Sequence, residues 1–441
     1  MARPLARFVD VRSGEGRALL LAALYFLLVL AANGVLRSLR DGLPDVSDMP
    51  WNYTGTFLTT LAAVPAFLWV VARFPRRRIV PIAYVGIAAS LLLFAALHPA
   101  ADDGPALRIY AAAFWAWFST INLLFVALFW SFMADLFGPE RGKRLFAAIA
   151  MGGTLGAFLG AMFTANFAAR LGAPVLLMIA AGLLLLCCAP VAALLSATAA
   201  WPARTAGDDR RAPIGGGLLD GAKHIARRPY LQAVAGQVLC LTAMATLSYM
   251  FKAHVVRADS VGPLERVSGF ARIDAVACAL EFVLQLVLTG PLLARGGLVW
   301  GLRSLPAVFG ASCLLLVAVP TQGMLGLVEG VRRATQYAIY RPARELLFTV
   351  VPPVETYGAK GFIDTLVYRG GDVSTVWVAH ALFAAGSGVT GLALAGLPIA
   401  AAWFALAGWL ARAHRGLADA AATAAATASP PSPNSPQGQP A

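Results

Sequence analysis

The stretch ALLLAALYFLLVLAANGVLRS, residues 18–38, carries one charged side chain, Arg37, in 21 positions. A run of about 20 apolar residues is long enough to cross the hydrocarbon core of a bilayer as a helix. Eleven further runs of this kind, each bounded by charges, follow along the chain. The sequence therefore predicts an all-α integral membrane protein of 12 transmembrane helices, at about 18–38, 52–72, 79–97, 108–133, 145–168, 174–196, 231–252, 268–292, 299–319, 321–346, 362–384 and 388–411.

The composition agrees with a membrane protein and excludes an ordinary soluble one. Of the 441 residues, 59% are hydrophobic and 13% charged, whereas a soluble domain needs about 25% charged residues. The net charge of +13 comes mostly from Lys and Arg between the spans, so it predicts membrane topology and no nucleic-acid partner. The five cysteines lie in apolar runs without metal-ligand spacing, so neither a disulfide framework nor a metal or other cofactor is expected.

The distribution of positive charge predicts the orientation. Placing the N-terminus in the cytoplasm puts most Lys and Arg of the loops inside, as the positive-inside rule requires. The C-terminus is then also cytoplasmic, and the outer loops hold mainly Lys252, Arg257 and Arg266.

The longest cytoplasmic loop divides the twelve spans six and six. We therefore expect an N-terminal six-helix bundle over 1–196, a linker over 197–230 and a C-terminal bundle over 231–415. A low-complexity, largely disordered tail is expected over 416–441. This layout is that of the major facilitator superfamily, in which two pseudo-symmetric bundles enclose a site at mid-membrane depth.

Ionisable residues inside spans are costly and need an explanation. In span 1, Arg37 and Arg40 share a helical face near the outer end, where they could bind a ligand or extend to lipid headgroups. In span 8, Asp274, Cys278 and Glu281 form a stripe that also includes Gln285. Glu281 lies near mid-depth, where a short side chain does not reach the headgroups. A structural ion pair and a functional site both remain open for these carboxylates.

Span 10 is the most polar helix, with Glu329, Arg333, Gln336, Tyr340 and Arg344 on one face. Such a helix must line an aqueous cavity or pair closely with its neighbours. Glu329 and Arg333 are four residues apart and can pair with each other. The remaining cations, Arg332, Arg341 and Arg344, then exceed the one nearby anion, Glu345. Surplus arginine suits an anionic ligand, because guanidinium presents a planar fork to phosphate or carboxylate.

Span 11 places Asp364, Tyr368, Asp372 and Thr375 on one face, with Arg369 a quarter-turn away. The pair Gly370–Gly371 at its centre predicts a bend or break. Asp372 either neutralises an arginine of span 10 or takes part in the site.

Three stretches carry a resemblance to a known family: residues 36–42 (LRSLRDG), 129–160 (FWSFMADLFGPERGKRLFAAIAMGGTLGAFLG) and 340–377 (YRPARELLFTVVPPVETYGAKGFIDTLVYRGGDVSTVW). They resemble the ATP/ADP translocase family, the nucleotide transporters of plastids and intracellular bacteria, and most closely its free-living bacterial branch. The resemblance implies a facilitator-type fold in a bacterial inner membrane and a central site that holds nucleotide phosphates with basic side chains.

The resemblance extends to individual positions. It matches Arg37, Arg40 and Asp41 to a basic motif of span 1, and Arg341 with Glu345 to a Lys–Glu pair. Lys360 and Asp364 match a Gly-Lys-x-x-x-Asp-like stretch, and Arg369 a basic position. The chain differs in reading Arg369-Gly370-Gly371-Asp372 where the nucleotide carriers have a Gly-Lys-Ser-Gly-like stretch.

The sequence contains no enzyme motif. It is compatible with three functions. The first is a monomeric secondary transporter for an anionic, phosphorylated metabolite, with ATP or ADP as leading candidate. The second is a proton-coupled exporter of a cationic or lipophilic compound, and the third a membrane scaffold or sensor that transports nothing. For the first we predict a substrate site formed by Arg37, Arg40, Glu281, Glu329, Arg333, Tyr340, Arg344, Arg369 and Asp372.

Overall fold

The computed structural model describes residues 11–12, 14–73, 76–100, 104–199, 201, 218–288 and 297–428. Across these ranges the chain is helical between short turns and contains no strand. The first three helices are α1 (Gly16–Gly42), α2 (Met49–Arg73), which follows a 3₁₀ turn at Val46–Asp48, and α3 (Arg76–Ala96).

The next helical stretch, Pro105–Leu186, contains three spans. Its backbone leaves the helical conformation at Gly138 (φ 68°) and Gly172 (φ 78°), and Pro139 and Pro174 follow closely. A glycine with positive φ ends a helix, and a proline at the start of the next one lacks an N–H that would otherwise be unpaired. The stretch therefore divides into α4 (105–137), α5 (139–171) and α6, which starts at 173 and continues past a turn at Cys187 as Cys188–Ala197.

The second half repeats the six-helix layout. It comprises α7 (Pro229–Ala258), α8 (Pro263–Leu288), α9 (Gly297–Ala318), α10, α11 and α12 (Gly388–Ala428). α10 runs through Gln322–Thr335, a π-helical segment Gln336–Tyr340 and Arg341–Leu346. α11 runs through Pro353–Phe362, a π-helical segment Ile363–Val367 and Tyr368–Ala384. The helices α1 to α12 match the twelve predicted spans in order and position.

Two segments outside the bundles differ in extent from their sequence-based boundaries. The predicted linker contains a helix, Leu218–Arg227, here called the linker helix, while residues 202–217 lie outside the described part. α12 continues 13 residues into the predicted tail, to Ala428, and residues 429–441 lie outside the described part.

Seven helical stretches among the described residues are long and apolar enough to cross a membrane. They include α1, α3, α4, α7, α9 and α12, and one stretch that joins α5 and α6. The helices α8, α10 and α11, which carry the ionisable stripes, are outside this set. The helix α2, which has no charged residue before Arg73, is also outside it. The three charged helices need a protected place inside the bundle.

Glycines set the distance between helices in both bundles. In the first, a Cβ on Gly156 would lie 2.1 Å from the Leu27 carbonyl oxygen, so α5 lies against α1 backbone to backbone. Gly152 and Gly160 make the same close approach one turn away on each side, as the four-residue spacing predicts. In the second bundle Gly326 and Gly330 of α10 pack closely against side chains of α8, Val276 and Leu280.

The two halves meet tightly at one end of the molecule, here called the closed end. A Cβ on Gly42 of α1 would lie 2.4 Å from the backbone nitrogen of Val267 of α8. Arg266 donates to the carbonyls of Gly42 (3.0 Å) and Leu43 (3.2 Å). A hydrophobic cluster shared by both halves lies there, with Val46, Met49 and Trp115 from the first and Met250, Phe251 and Phe270 among those of the second. At the opposite end, the open end, lie the start of α1, the end of α12 and the linker helix.

Candidate functional site

Two connected chambers lie between the halves. The closed-end chamber, of about 990 Å³, is lined by side chains of α1, α4, α5, α7, α8, α9 and α10. The open-end chamber, of about 650 Å³, extends to Glu345 and Lys360, which are half-exposed where α10 ends and α11 begins. Arg40, Asn122, Tyr337 and Arg341 line both chambers, so the two form one cavity that narrows between them. Volumes of this size are typical of sites for small molecules.

Asp274 of α8 lies behind the wall of the closed-end chamber and is 2% exposed. Its Oδ1 accepts a hydrogen bond from Arg333 Nη2 at 2.7 Å and lies 3.9 Å from Lys252 Nζ. Its Oδ2 lies 3.2 Å from Arg37 Nε. A buried carboxylate is tolerated only with such partners, and here three cations from both halves share it.

Glu329 of α10 neutralises two neighbours on its own helix. Arg333 Nε donates to Glu329 Oε1 at 2.9 Å, which confirms the pair expected from the i, i+4 spacing. Arg332 Nε donates to Glu329 Oε2 at 2.8 Å and its Nη1 to Gln336 Oε1 at 2.6 Å. The expectation that Arg332 is a surplus cation is therefore wrong, because Glu329 serves both arginines.

Arg40 lies between the chambers with its guanidinium 4.8 Å above the ring of Trp115. Its Nε donates to Asp41 Oδ1 at 2.7 Å, and Asp41 also accepts from the Tyr249 hydroxyl at 3.3 Å. Tyr53, Trp115 and Tyr249 form a cluster of rings with centroids 5.8–6.0 Å apart. Because Tyr249 belongs to the second half, this cluster joins the halves in the wall of the cavity.

The open-end chamber contains an acidic group of α11. Asp372 is largely buried, accepts a hydrogen bond from Thr246 Oγ1 of α7 at 3.0 Å and lies 3.7 Å from Arg369 Nη1. The alternative in which Asp372 neutralises an arginine of span 10 is wrong, because its ionic partner is on its own helix. The helix is continuous through Gly370 and Gly371. The predicted break there is therefore wrong, and Gly371 lets α11 approach Thr242 of α7.

The mouth of the open-end chamber carries two ion pairs between α10 and α11. Arg344 pairs with Asp364, and Lys360 Nζ lies 2.6 Å from Glu345 Oε2. Arg344 is therefore not a surplus cation either. Each pair crosses between the helices close to their π-helical segments, which are frequent at functional sites.

Arg341 differs from the other arginines of the cavity. It is exposed, lines both chambers, and makes no ion pair or hydrogen bond with any side chain in the described part of the chain. Its position next to the π-helical segment of α10 places it where the two chambers join. An unpaired guanidinium facing an enclosed aqueous space is a natural binding group for an anion.

All nine residues of the predicted site line the cavity. Arg37, Glu281, Glu329 and Arg333 line the closed-end chamber, Arg40 lines both, and the open-end chamber has the remaining four, Tyr340, Arg344, Arg369 and Asp372. Tyr340 is nearly inaccessible: it accepts a hydrogen bond from Gln237 Nε2 at 2.8 Å and packs against Trp403. Its contribution to the cavity wall is therefore structural packing more than ligand contact.

The predicted set lacks several charged residues of the site, and three of them matter most for its electrostatics. Lys252, placed in an outer loop by hydropathy, is buried in α7 and lines the closed-end chamber. Asp274 was noticed in the stripe of span 8 but not as the partner of Arg37 and Arg333. Arg341 was identified as a surplus cation and as a position matched by the family resemblance, but it was left out of the predicted site.

Basic side chains outnumber acidic ones on the cavity wall. The described lining contains nine basic residues, Arg37, Arg40, Lys252, Arg332, Arg333, Arg341, Arg344, Lys360 and Arg369, and six acidic ones, Asp41, Glu281, Glu329, Glu345, Asp364 and Asp372. Within the described part of the chain, no group of three His, Cys, Asp or Glu side chains is arranged to hold a metal ion. The cavity is thus a mostly ion-paired chamber with a positive excess.

Known proteins match the chain in structure and not in sequence. No model of a known protein family matches, and no curated protein matches. The nucleoside transporter NupG superposes with a TM-score of 0.59 at 16% identity, covering 92% of this chain and 99% of that one. A peptide transporter of the POT type in complex with sulfate gives 0.60 at 14% identity, covering 92% and 98%. A bacterial homolog of the human lysosomal transporter Spinster, in an inward-facing and unoccupied conformation, gives 0.58 at 13%, covering 92% and 99%. The chain therefore has the multi-pass membrane fold of the major facilitator type, two six-helix bundles around a central cavity.

Proposed function

We propose that the protein is a secondary transporter that moves an anionic, phosphorylated metabolite by alternating access. The observation that carries this proposal is Arg341, a guanidinium exposed between the two chambers with no ionic partner among the described residues. A binding site for a cation would place its unpaired charge on a carboxylate. The excess of basic over acidic side chains on the cavity wall also supports a negatively charged substrate.

The pattern of closed and open ends supports alternating access. The halves meet through α1 and α8 at the closed end, while the cavity reaches Glu345 and Lys360 at the other. Transporters of this architecture rock one half against the other around a central site. A structural neighbour in an inward-facing, unoccupied conformation supports an equivalent state for this chain.

The open end is proposed to face the cytoplasm of a bacterial inner membrane. Basic residues concentrate at this end, where Arg144 and Arg141 lie against Glu15 and Arg228 pairs with Glu355. Both ends of the membrane part and the linker helix lie there as well. This distribution is the one that the positive-inside rule associates with the cytoplasmic side.

A nucleotide such as ATP or ADP is the leading candidate substrate. The support is the resemblance of the three sequence stretches, together with the position of Arg40, Arg341 and Arg369 along one cavity. The volume is sufficient for a ligand of that size. Single arginines also give phosphate a bidentate partner.

The test is counterflow into proteoliposomes with labelled ATP, ADP, inorganic phosphate and sugar phosphates. Arg341→Gln should raise the half-saturating concentration of the transported anion about tenfold or more, because a hydrogen bond to a charged group contributes about 1.5–3 kcal/mol. Arg415→Gln, an exposed arginine of α12 outside the cavity, is the matched control and should leave it unchanged. If the wild-type protein shows no counterflow of any anion, the proposed function is wrong.

A further inference from the structure

Arg37 connects the two halves through an ion pair that is not also a hydrogen bond. Its Nε lies 3.2 Å from Asp274 Oδ2, so an α1 cation meets an α8 carboxylate across the interface of the halves. The same Nε is buried without a hydrogen-bond partner, because the geometry is not aligned for donation. The contact is therefore an ion pair without the directional bond that would fix it.

Asp274 is held more firmly by its own half. Arg333 Nη2 donates to it at 2.7 Å, and Lys252 Nζ lies 3.9 Å away. Both belong to the second half, as does Glu281, the other α8 carboxylate on this chamber. When the halves separate at the closed end, Asp274 keeps Arg333 and Lys252, whereas Arg37 moves away from both α8 carboxylates.

The first half offers Arg37 little replacement. The nearest acidic residue along α1 is Asp41, which is buried and already bonded to Arg40 at 2.7 Å. Opening the closed end of an empty cavity therefore leaves the Arg37 guanidinium without a counter-charge inside the membrane protein, an arrangement that is strongly unfavourable. An anion in the closed-end chamber removes this cost, because Arg37 lines that chamber.

We propose that Arg37 links occupancy of the cavity to opening of the closed end, with a bound anion replacing Asp274 as the partner of Arg37. This inference rests on the proposed transport of an anion. It assigns the empty protein to the conformation described above and makes opening of the closed end dependent on bound anion. Transport from one side is then accelerated by anion on the other, because the empty protein reorients slowly.

The first measurement is the distance between spin labels at the closed end. The labels are placed at Ala100→Cys and Val261→Cys, exposed positions on the first and second halves, with the two half-buried native cysteines replaced by serine. In anion-free proteoliposomes, Arg37→Gln should increase the population with the longer distance about tenfold or more. Arg37→Lys, which keeps the charge, should stay close to wild type. Arg257→Gln removes the pair that Arg257 forms with Asp45 outside the cavity, and should change the population much less.

The second measurement is efflux of labelled ADP or phosphate with and without the same anion outside. The wild type should show strong stimulation by external anion. In Arg37→Gln the ratio of efflux with external anion to efflux without it should fall towards one, whatever the absolute rate. Folding of this variant is expected to survive, because Asp274 retains Arg333 and Lys252.

The outcomes separate the two proposals. If the wild type exchanges anions but Arg37→Gln neither opens the closed end nor loses the stimulation, the role of Arg37 is refuted and transport stands. A variant that stops transporting with unchanged distances also refutes it, because Arg37 is then a binding residue alone. If the wild type exchanges no anion, the proposed function fails, and the part assigned to a bound anion fails with it.

Discussion

Neutralising Asp274 should be among the most destabilising single changes in this protein. The carboxylate is 2% exposed and has Arg333, Arg37 and Lys252 within 2.7–3.9 Å. A pair of unit charges about 3 Å apart interacts by about 5–6 kcal/mol at an effective dielectric constant of about 20, before the opposing cost of desolvation. Removing one partner of a buried pair typically costs about 3–5 kcal/mol, because the other charge stays buried.

Asp274→Asn keeps the shape of the side chain and removes its charge. Arg333 retains Glu329 at 2.9 Å, so the unfavourable charges are Arg37 and Lys252. We expect a loss of about 3–5 kcal/mol, measured as a lower unfolding temperature and a lower denaturant midpoint in detergent. The matched control is Asp259→Asn, an exposed aspartate at the closed end whose change should stay within about 0.5 kcal/mol.

A second substitution tests whether the stranded cation causes the loss. Lys252→Met in the Asp274→Asn background removes a buried ammonium that no longer has its carboxylate. The double variant should be more stable than the sum of the single effects predicts, by about 0.5–3 kcal/mol. If Asp274→Asn unfolds like Asp259→Asn, or if the two effects simply add, the carboxylate does not hold this cluster together.

Two further predictions concern packing and pH. Gly156→Ala should destabilise the protein by about 3 kcal/mol or abolish its expression, because the added Cβ would lie 2.1 Å from the Leu27 carbonyl oxygen; Gly182→Ala, which meets open space, should be tolerated, and thermal unfolding of both variants checks this. The hydrogen bond from Arg144 holds the pKa of Glu15, which precedes α1, below its usual value. Glu15 therefore stabilises the folded state above its unfolded pKa of about 4.3, and this contribution is lost as the pH falls through the lowered pKa. The difference in unfolding temperature between wild type and Glu15→Gln should be constant near neutral pH and shrink below about pH 4; a difference that stays constant into acid would contradict the pairing.

The twelve helices were predictable because the bilayer imposes a length and a composition on each span. The predicted helix ends were wrong where a helix extends out of the bilayer. α11 begins at Pro353, nine residues before its predicted start at 362, because Glu355 and Lys360 make the first turns too polar for an apolar run. α7 continues to Ala258, which is why Lys252 appeared to be in a loop. Hydropathy detects the apolar middle of a span and not its water-facing ends.

The partners of the charged residues were less predictable than their shared cavity. Face assignments assume 100° per residue, and the π-helical segments of α10 and α11 break that register. Arg344, just after the π-helical segment of α10, meets Asp364 within that of α11. A local insertion in helical winding has no reliable sequence signal, so this pair required the structure. Arg369 and Asp372, by contrast, have the ordinary i, i+3 spacing of one helix.

The pairing of most charged side chains in the cavity has a consequence for how an anion binds. If every arginine were unpaired, the empty cavity would carry several uncompensated charges and an anion would bind too tightly to leave. Most cations are paired, as Arg333 is with Asp274 and Arg369 with Asp372. An entering anion must therefore displace a carboxylate, and it gains only the difference between the free energies of the new ion pair and the old one. Arg341 needs no such displacement, so it gives the anion its first partner, and the exchange of further pairs can accompany the movement of the halves. A transporter requires this compromise, because binding has to be favourable enough for entry and weak enough for release.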